Sequence, residues 1–156
     1  MHPSLQQILD ALEEEAPSRL AESWDNPGLQ IGGRSDPVER ILLSLDPSLE
    51  AVRKAADIEA QLLLSHHPLL FKPLSSIDRN RYPGNIVYEA VKTGVALVSA
   101  HTNLDAALGG INDQLAVLLG LGNVRSLGGG EGDPSGPGLG RIGTLHAPRL
   151  LGDLAR

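Results

Sequence analysis

The sequence predicts an α/β fold, a parallel or mostly parallel sheet with helices on both faces. Three short apolar runs, Ile41-Leu42-Leu43-Ser44-Leu45, Gln61-Leu62-Leu63-Leu64-Ser65 and Val95-Ala96-Leu97-Val98-Ser99-Ala100, have the length and continuity of strands buried on both faces. The segments between them carry apolar residues at helical spacing, which gives repeated strand-helix-strand units. The 156 residues include one Trp, one Phe and two Tyr, so the core is built mainly from Leu, Ile, Val and Ala.

Along the chain, Ser4 with Gln7 forms a capping-box signature, and Leu5, Ile8, Leu9 and Leu12 recur at helical spacing until Pro17 interrupts. Residues 22–33 are dense in turn formers and hold the single Trp24; they are read as a structured loop leading into a short strand, with Trp24 as a packing anchor and Asp25-Asn26-Pro27-Gly28 as a turn. After the first apolar run, residues 48–60 carry Leu49, Val52, Ala56 and Ala60 on one helical face. Residues 85–93 form the next helix, with Ile86, Val87, Ala90 and Val91 inward and Gly94 closing it. A further helix over 111–119 is expected to turn Ile111, Leu115, Leu118 and Leu119 inward.

The Gly- and Pro-rich residues 127–140 are too poor in side chains to pack, and divide the chain. Residues 1–126 are the expected α/β metal-binding domain, 127–140 a flexible linker, and 141–156 an incomplete strand-helix unit.

Composition removes several function classes. A net charge of −6 offers no footprint for a phosphate backbone, so nucleic acid is not an expected partner. With no cysteine, disulfides, thiolate metal sites and cysteine nucleophiles are excluded, and a metal would need nitrogen and oxygen ligands. No apolar run approaches the ~20 residues of a membrane span and the N-terminus lacks a signal-like pattern, so a cytoplasmic protein without a membrane partner is expected. No Gly-x-Ser-x-Gly, Walker-type loop or Ser-His-Asp order stands out.

The chemistry-bearing residues sit where apolar runs end: Asp46 after the first, His66 and His67 after the second, His101 and Asp105 after the third. In a parallel sheet these ends share the edge at which ligands bind. A lone His-His-Pro can be a loop that caps backbone groups; paired with His-x-x-x-Asp on an adjacent strand, it points to metal. Adjacent histidines in a loop suit two ions, and the two oxygens of Asp105 could span metals ~3.5–4 Å apart. His66, His67 and Asp105 are the expected ligands. His101 is the candidate for proton transfer or for supporting a ligand, and Asp46, first a helix cap, is a weaker one. Lys72 could approach an anionic substrate, with a solvated lysine the default, while His2 and His146 lack partner clusters.

Three motifs in order, Glu22-Ser-Trp-Asp-Asn-Pro-Gly-Leu-Gln-Ile-Gly32, Leu64-Ser-His-His-Pro-Leu-Leu-Phe-Lys-Pro-Leu74 and Ala100-His-Thr-Asn-Leu-Asp-Ala-Ala107 with Gly110-Ile-Asn-Asp113, resemble the GTP cyclohydrolase 1 type 2 homologue family, also called Nif-three-like. The resemblance implies a dinuclear centre of divalent transition metals (Zn, Fe, Mn, Co or Ni) held by His66, His67 and Asp105, with His101 beside them. It also implies a homohexamer and a metal-dependent hydrolase acting on a nucleotide or related heterocycle. The alternative is a non-enzymatic metal-binding scaffold or regulatory protein. Family members are longer and bring a further His and Glu from a C-terminal segment, and residues 140–145 resemble the start of that second half. A truncated form with partial metal occupancy is therefore expected.

Overall fold

A computed structural model describes residues 2–127 and 136–154. Helix α1 (Leu5–Glu15) starts behind the capping box that the sequence predicts: the Gln7 N–H donates to Ser4 Oγ at 3.3 Å and the Ser4 N–H to Gln7 Oε1 at 2.9 Å. A 3-10 turn (Ser18–Leu20) and β1 (Gly28–Ile31) follow. Then come β2 (Ile41–Ser44), α2 (Leu49–Asp57), β3 (Leu62–Ser65), α3 (Gly84–Thr93) and β4 (Ala96–Ser99). Ser48 caps α2, its hydroxyl accepting from the Ala51 N–H at 3.0 Å. Gly94 ends α3 in the left-handed region at φ 73°, where a Cβ would be strained.

The four strands form one sheet in the order β1-β4-β3-β2. β2, β3 and β4 run parallel, and β1 joins the far edge antiparallel to β4, so the sheet is mostly parallel. Alternate residues of the central strands point to opposite faces. Leu63 and Leu97 pack with Val52 and Ala55 of α2 and Ile86, Val87 and Ala90 of α3. Leu62, Ala96 and Val98 pack with Leu5, Ile8, Leu9 and Leu12 of α1. Full burial of a leucine such as Leu62 or Leu63 contributes roughly 1.5–3 kcal/mol.

The strand β2 departs from the expected burial on both faces. Ile41 is 41% and Leu43 71% exposed. Register places Ile41 beside Leu62 and Leu43 beside Leu64, on the face that α1 covers only as far as β3. β2 is the sheet edge and lies beyond the reach of that single helix.

Past the sheet, two elements go beyond the sequence expectation: α4 (Thr102–Ala106) directly after β4, and β5 (Leu121–Ser126). Between them lies α5 (Ile111–Leu118). Gly110 permits the tight α4–α5 turn, because a Cβ there would stand 2.0 Å from the Leu104 carbonyl oxygen. The apolar face expected to turn inward on α5 is instead open, with Leu115 48%, Leu118 81% and Leu119 42% exposed and Ala116 buried. Both faces of the central strands are already served by α1, α2 and α3, and among the described residues α5 packs mainly on α4 and on the hairpin of β5 with β6 (Arg141–Leu145). A short α6 (Leu151–Leu154) ends the described chain. Of the 127–140 connection between β5 and β6, residues 128–135 lie outside the described residues.

The hairpin is tied back through Arg141, whose side chain is 4% exposed. Its guanidinium forks onto both oxygens of Asp113 and donates to the carbonyls of Ala107, Gly138 and Gly140. Hydrogen bonding from Arg141 holds the Asp113 carboxyl below the usual carboxylate range, against partial burial.

In urea unfolding, Leu63→Ala should cost about 2–5 kcal/mol and Leu43→Ala less than about 0.5, because only the former opens a cavity. Asp113→Ala should cost about 3 kcal/mol by leaving the Arg141 charge buried without its carboxylate; a loss no larger than that of Leu43→Ala would show that the clamp carries no weight.

Candidate metal centre

Parallel register delivers the site. Ser44, Ser65 and Ser99, the last residues of β2, β3 and β4, stand side by side, so the residues after each of these strands share one edge. The ladder continues past the strands, with the His66 N–H donating to the Ser44 carbonyl at 3.1 Å, His67 to Leu45 at 2.9 Å and Ala100 to Ser65 at 3.0 Å. The buried Ser65 hydroxyl donates to the His67 carbonyl at 2.8 Å and fixes the turn between the adjacent histidines.

Three imidazoles converge there. The ring centroids of His66, His67 and His101 are 5.0, 5.1 and 5.5 Å apart, and each ring can offer a nitrogen within 4.8 Å of the others. In all three, Nδ1 is already engaged by an acceptor that has no proton to give. His66 Nδ1 meets the Ala100 carbonyl at 2.9 Å, His67 Nδ1 meets Asp46 Oδ1 at 2.7 Å, and His101 Nδ1 meets Asp25 Oδ1 at 2.9 Å. The proton therefore sits on Nδ1 and the lone pair on Nε2, the tautomer and orientation that metal-ligating histidines take. Asp105, on α4, places Oδ1 3.7 Å from His66 Nε2. That separation is too long for a hydrogen bond and short enough for both atoms to lie ~2.1 Å from a common ion. The donor set, imidazole nitrogen and carboxylate oxygen without sulfur, fits a divalent transition metal.

Of the residues named from sequence, His66, His67 and His101 form the three-imidazole cluster, Asp105 stands beside His66, and Asp46 stands behind His67. Lys72 lies on the exposed loop after them. His2 pairs at 3.8 Å with Glu39, and His146 is exposed beside the hairpin.

Asp25, a turn residue by its sequence, has a larger part. Its side chain is wholly buried, and besides His101 it accepts the Thr102 N–H at 3.1 Å, the Thr102 hydroxyl and the Asn26 N–H at 2.7 Å. Burial pushes its carboxyl up, but the hydrogen bonds from Thr102, His101 and Asn26 outweigh burial and hold it below the usual carboxylate range. An ionised Asp25 fixes the orientation and tautomer of the His101 ring. Asn103 completes this support, accepting the His101 N–H at 2.9 Å and donating to the Ala16 carbonyl at 2.6 Å. The only sequence signal for Asp25 is its place beside Trp24 in a turn-rich segment; a contact across 76 residues has no periodicity to betray it.

Trp24 is not a core anchor. It is 59% exposed and stacks on Phe71, with ring centroids 6.4 Å apart and planes 29° apart. Phe71 meets His101 edge-on at 5.8 Å. The loop carrying Phe71 is held to β1 and the segment before it: Asn26 Nδ2 donates to the Leu70 carbonyl at 2.6 Å and the Leu70 N–H to Gln30 Oε1 at 2.9 Å. A cavity of about 580 Å³ opens beside His67, bounded by Phe71, Tyr82 and Asn85.

The lowered carboxyls give a signed pH dependence. Asp25 and Asp113 contribute stability that is present above their unfolded-state pKa of about 3.9 and is lost as pH falls through their folded values. Urea midpoints should therefore fall on acidification below about pH 4. In Asp25→Asn that fall should be shallower and the neutral-pH stability lower, by about 1–3 kcal/mol, because buried donors lose an ionised acceptor. An unchanged acid limb in Asp25→Asn would contradict this assignment.

Comparison with known proteins agrees with the fold. The sequence model of the family described as Duf34/NIF3 (NGG1p interacting factor 3) matches residues 3–156. A Streptomyces coelicolor protein named GTP cyclohydrolase 1 type 2 homolog is 38% identical over 154 residues, which cover 98% of this chain and 54% of that protein. NIF3-like protein 1 of Drosophila melanogaster is 37% identical over 86% of this chain and 46% of its own length. Among solved structures, a Bacillus cereus protein related to NIF3 superposes with a TM-score of 0.76 at 39% identity over 80% of this chain and 35% of that one. Reduced HcgD from Methanocaldococcus jannaschii gives 0.80 at 33% identity over 92% of this chain and 54% of that one. The chain spans about half the length of these curated relatives. On the family match and these identities, the chain belongs to the Duf34/NIF3 family.

Proposed function

We propose that this chain is the metal-holding part of a hydrolase that uses two divalent transition-metal ions on a nucleotide or related heterocycle. The observation that carries the reading is the set of three imidazoles whose Nδ1 atoms are all occupied and whose ring nitrogens can meet in one cluster, with His66 Nε2 beside Asp105. His66 and His67 would serve as nitrogen ligands, and Asp105 would supply carboxylate oxygens to the ions. His101, charge-assisted from behind by Asp25, is suited to move a proton at Nε2 or to add a ligand. Asp46 positions His67 through Nδ1. Bound divalent ions supply Lewis acidity, acidifying a water and polarising the bond it attacks.

The name carried by the bacterial relatives supports GTP or a chemically similar purine nucleotide as substrate. Further ligands from the part of the longer relatives that lies outside the matched region, and assembly as a cytoplasmic homohexamer, complete this reading from the family resemblance. A second reading, a metal-binding scaffold that docks a protein partner, is favoured by the family's description as an interacting factor.

Elemental analysis of protein purified without added metal should find bound transition metal, below two ions per chain in this 156-residue form and lost in His67→Ala and Asp105→Ala. Competition against a chelating dye should show about 10–100-fold weaker binding in Asp46→Ala, which loses only the support behind His67. Metal content unchanged in His67→Ala would sink the reading. Metal-dependent GTP turnover lost in Asp105→Ala selects the hydrolase, and partner binding indifferent to metal selects the scaffold.

A further inference from the structure

All four Trp, Phe and Tyr residues of the chain are exposed, Tyr88 at 44%, and the other three, Trp24 at 59%, Phe71 at 45% and Tyr82 at 72%, lie around the histidine cluster and the cavity beside it. A sequence this poor in aromatic residues would gain most by burying them, so their display around one site calls for a ligand. Phe71 links the two features of that site. Its ring lies 5.8 Å from His101 and also walls the cavity of about 580 Å³ that opens beside His67. The remaining walls are flat or apolar, with Pro47, Pro68, Tyr82 and Ile86 prominent. This volume is within the range of small-molecule sites.

The electrostatics narrow the ligand. No lysine or arginine lines the cavity, and its only carboxylate, Asp46, is taken up by His67. A phosphate chain would find no counter-charge there. Besides the hydroxyls of Ser48 and Tyr82, the lining includes the Asn85 carboxamide, whose Oδ1 is buried without a hydrogen-bond partner. Such orphans are rare, and rotation of the amide about its terminal bond can turn either an acceptor or a donor to the cavity.

We propose that this cavity is the subsite for the planar nitrogen-heterocyclic ring of the substrate, with Phe71 as its stacking face and Asn85 reading its edge. Sugar and phosphate stay outside, and the ring is held so that its reacting edge meets the histidine cluster. The last point rests on the hydrolase reading; ring binding itself does not require a metal.

The test uses this chain after chelator treatment, with guanosine 5′-monophosphate and ribose 5-phosphate as probes that differ by the ring alone. Trp24, the single tryptophan, reports occupancy by fluorescence, and calorimetry gives the affinity. Saturable binding of the nucleotide and not of the sugar phosphate is expected. Phe71→Leu should weaken it at least about fivefold, the lower end for loss of a base-aromatic stack. Asn85→Ala should weaken it too and narrow the preference between guanine and adenine nucleotides. Equal binding of ribose 5-phosphate, no binding of either nucleotide, or unchanged affinity in Phe71→Leu, which removes no buried group, overturns the subsite. Because metal is removed beforehand, a failure of the metal-dependent reading leaves this measurement untouched.

Discussion

In-register parallel pairing of β2, β3 and β4 is the constraint on which everything else rests. Three four-residue strands end level with one another at Ser44, Ser65 and Ser99, and the backbone ladder runs on briefly beyond them. That continuation sets His66, His67 and His101 into one space rather than on separate loops. The pairing is in turn held by the two cores, one under α1 and one under α2 and α3, whose central leucines exclude water from both faces of β3 and β4. A slip of a single residue in β3 would exchange its inward and outward faces and move both histidines off the edge.

Around this frame, hydrogen bonds choose the chemistry. Three different acceptors, a backbone carbonyl, a largely exposed carboxylate and a buried one, perform the same act on the three rings: each accepts a hydrogen bond from Nδ1–H, which keeps the proton on Nδ1 and the lone pair on Nε2. The environments differ in strength. Asp25 is buried, ionised and multiply hydrogen-bonded, so His101 is the most firmly oriented ring, while Asp46 is open to water and holds His67 less tightly. This gradient gives His67 and His101 unequal freedom within one cluster.

Much of the frame is legible in the sequence because it is local. The capping box at Ser4 and Gln7, the apolar runs of β2, β3 and β4, the closing Gly94 and the polar residues after each strand all announce themselves within a few positions. Apolar character alone cannot say which strand is an edge, so Leu43 reads like Leu63 although only one is buried. Nor can helical spacing say whether a partner surface remains, and the leucines of α5 meet none among the described residues. Asp25 and Asn103 are hidden for a different reason: their roles consist of contacts to residues 76 and 87 positions away. The exposure of Trp24 is likewise a fact of packing that composition inverts.

The proposed metal site depends on three clustered imidazoles that keep their protons on Nδ1. The most direct test is nitrogen-15 NMR of the histidine rings in metal-free protein at neutral pH, followed by titration with Zn²⁺. Nδ1–H tautomers are expected for His66, His67 and His101, with shifts of their Nε2 resonances as the metal binds. Nε2–H tautomers, or Nε2 resonances indifferent to Zn²⁺, would contradict that arrangement.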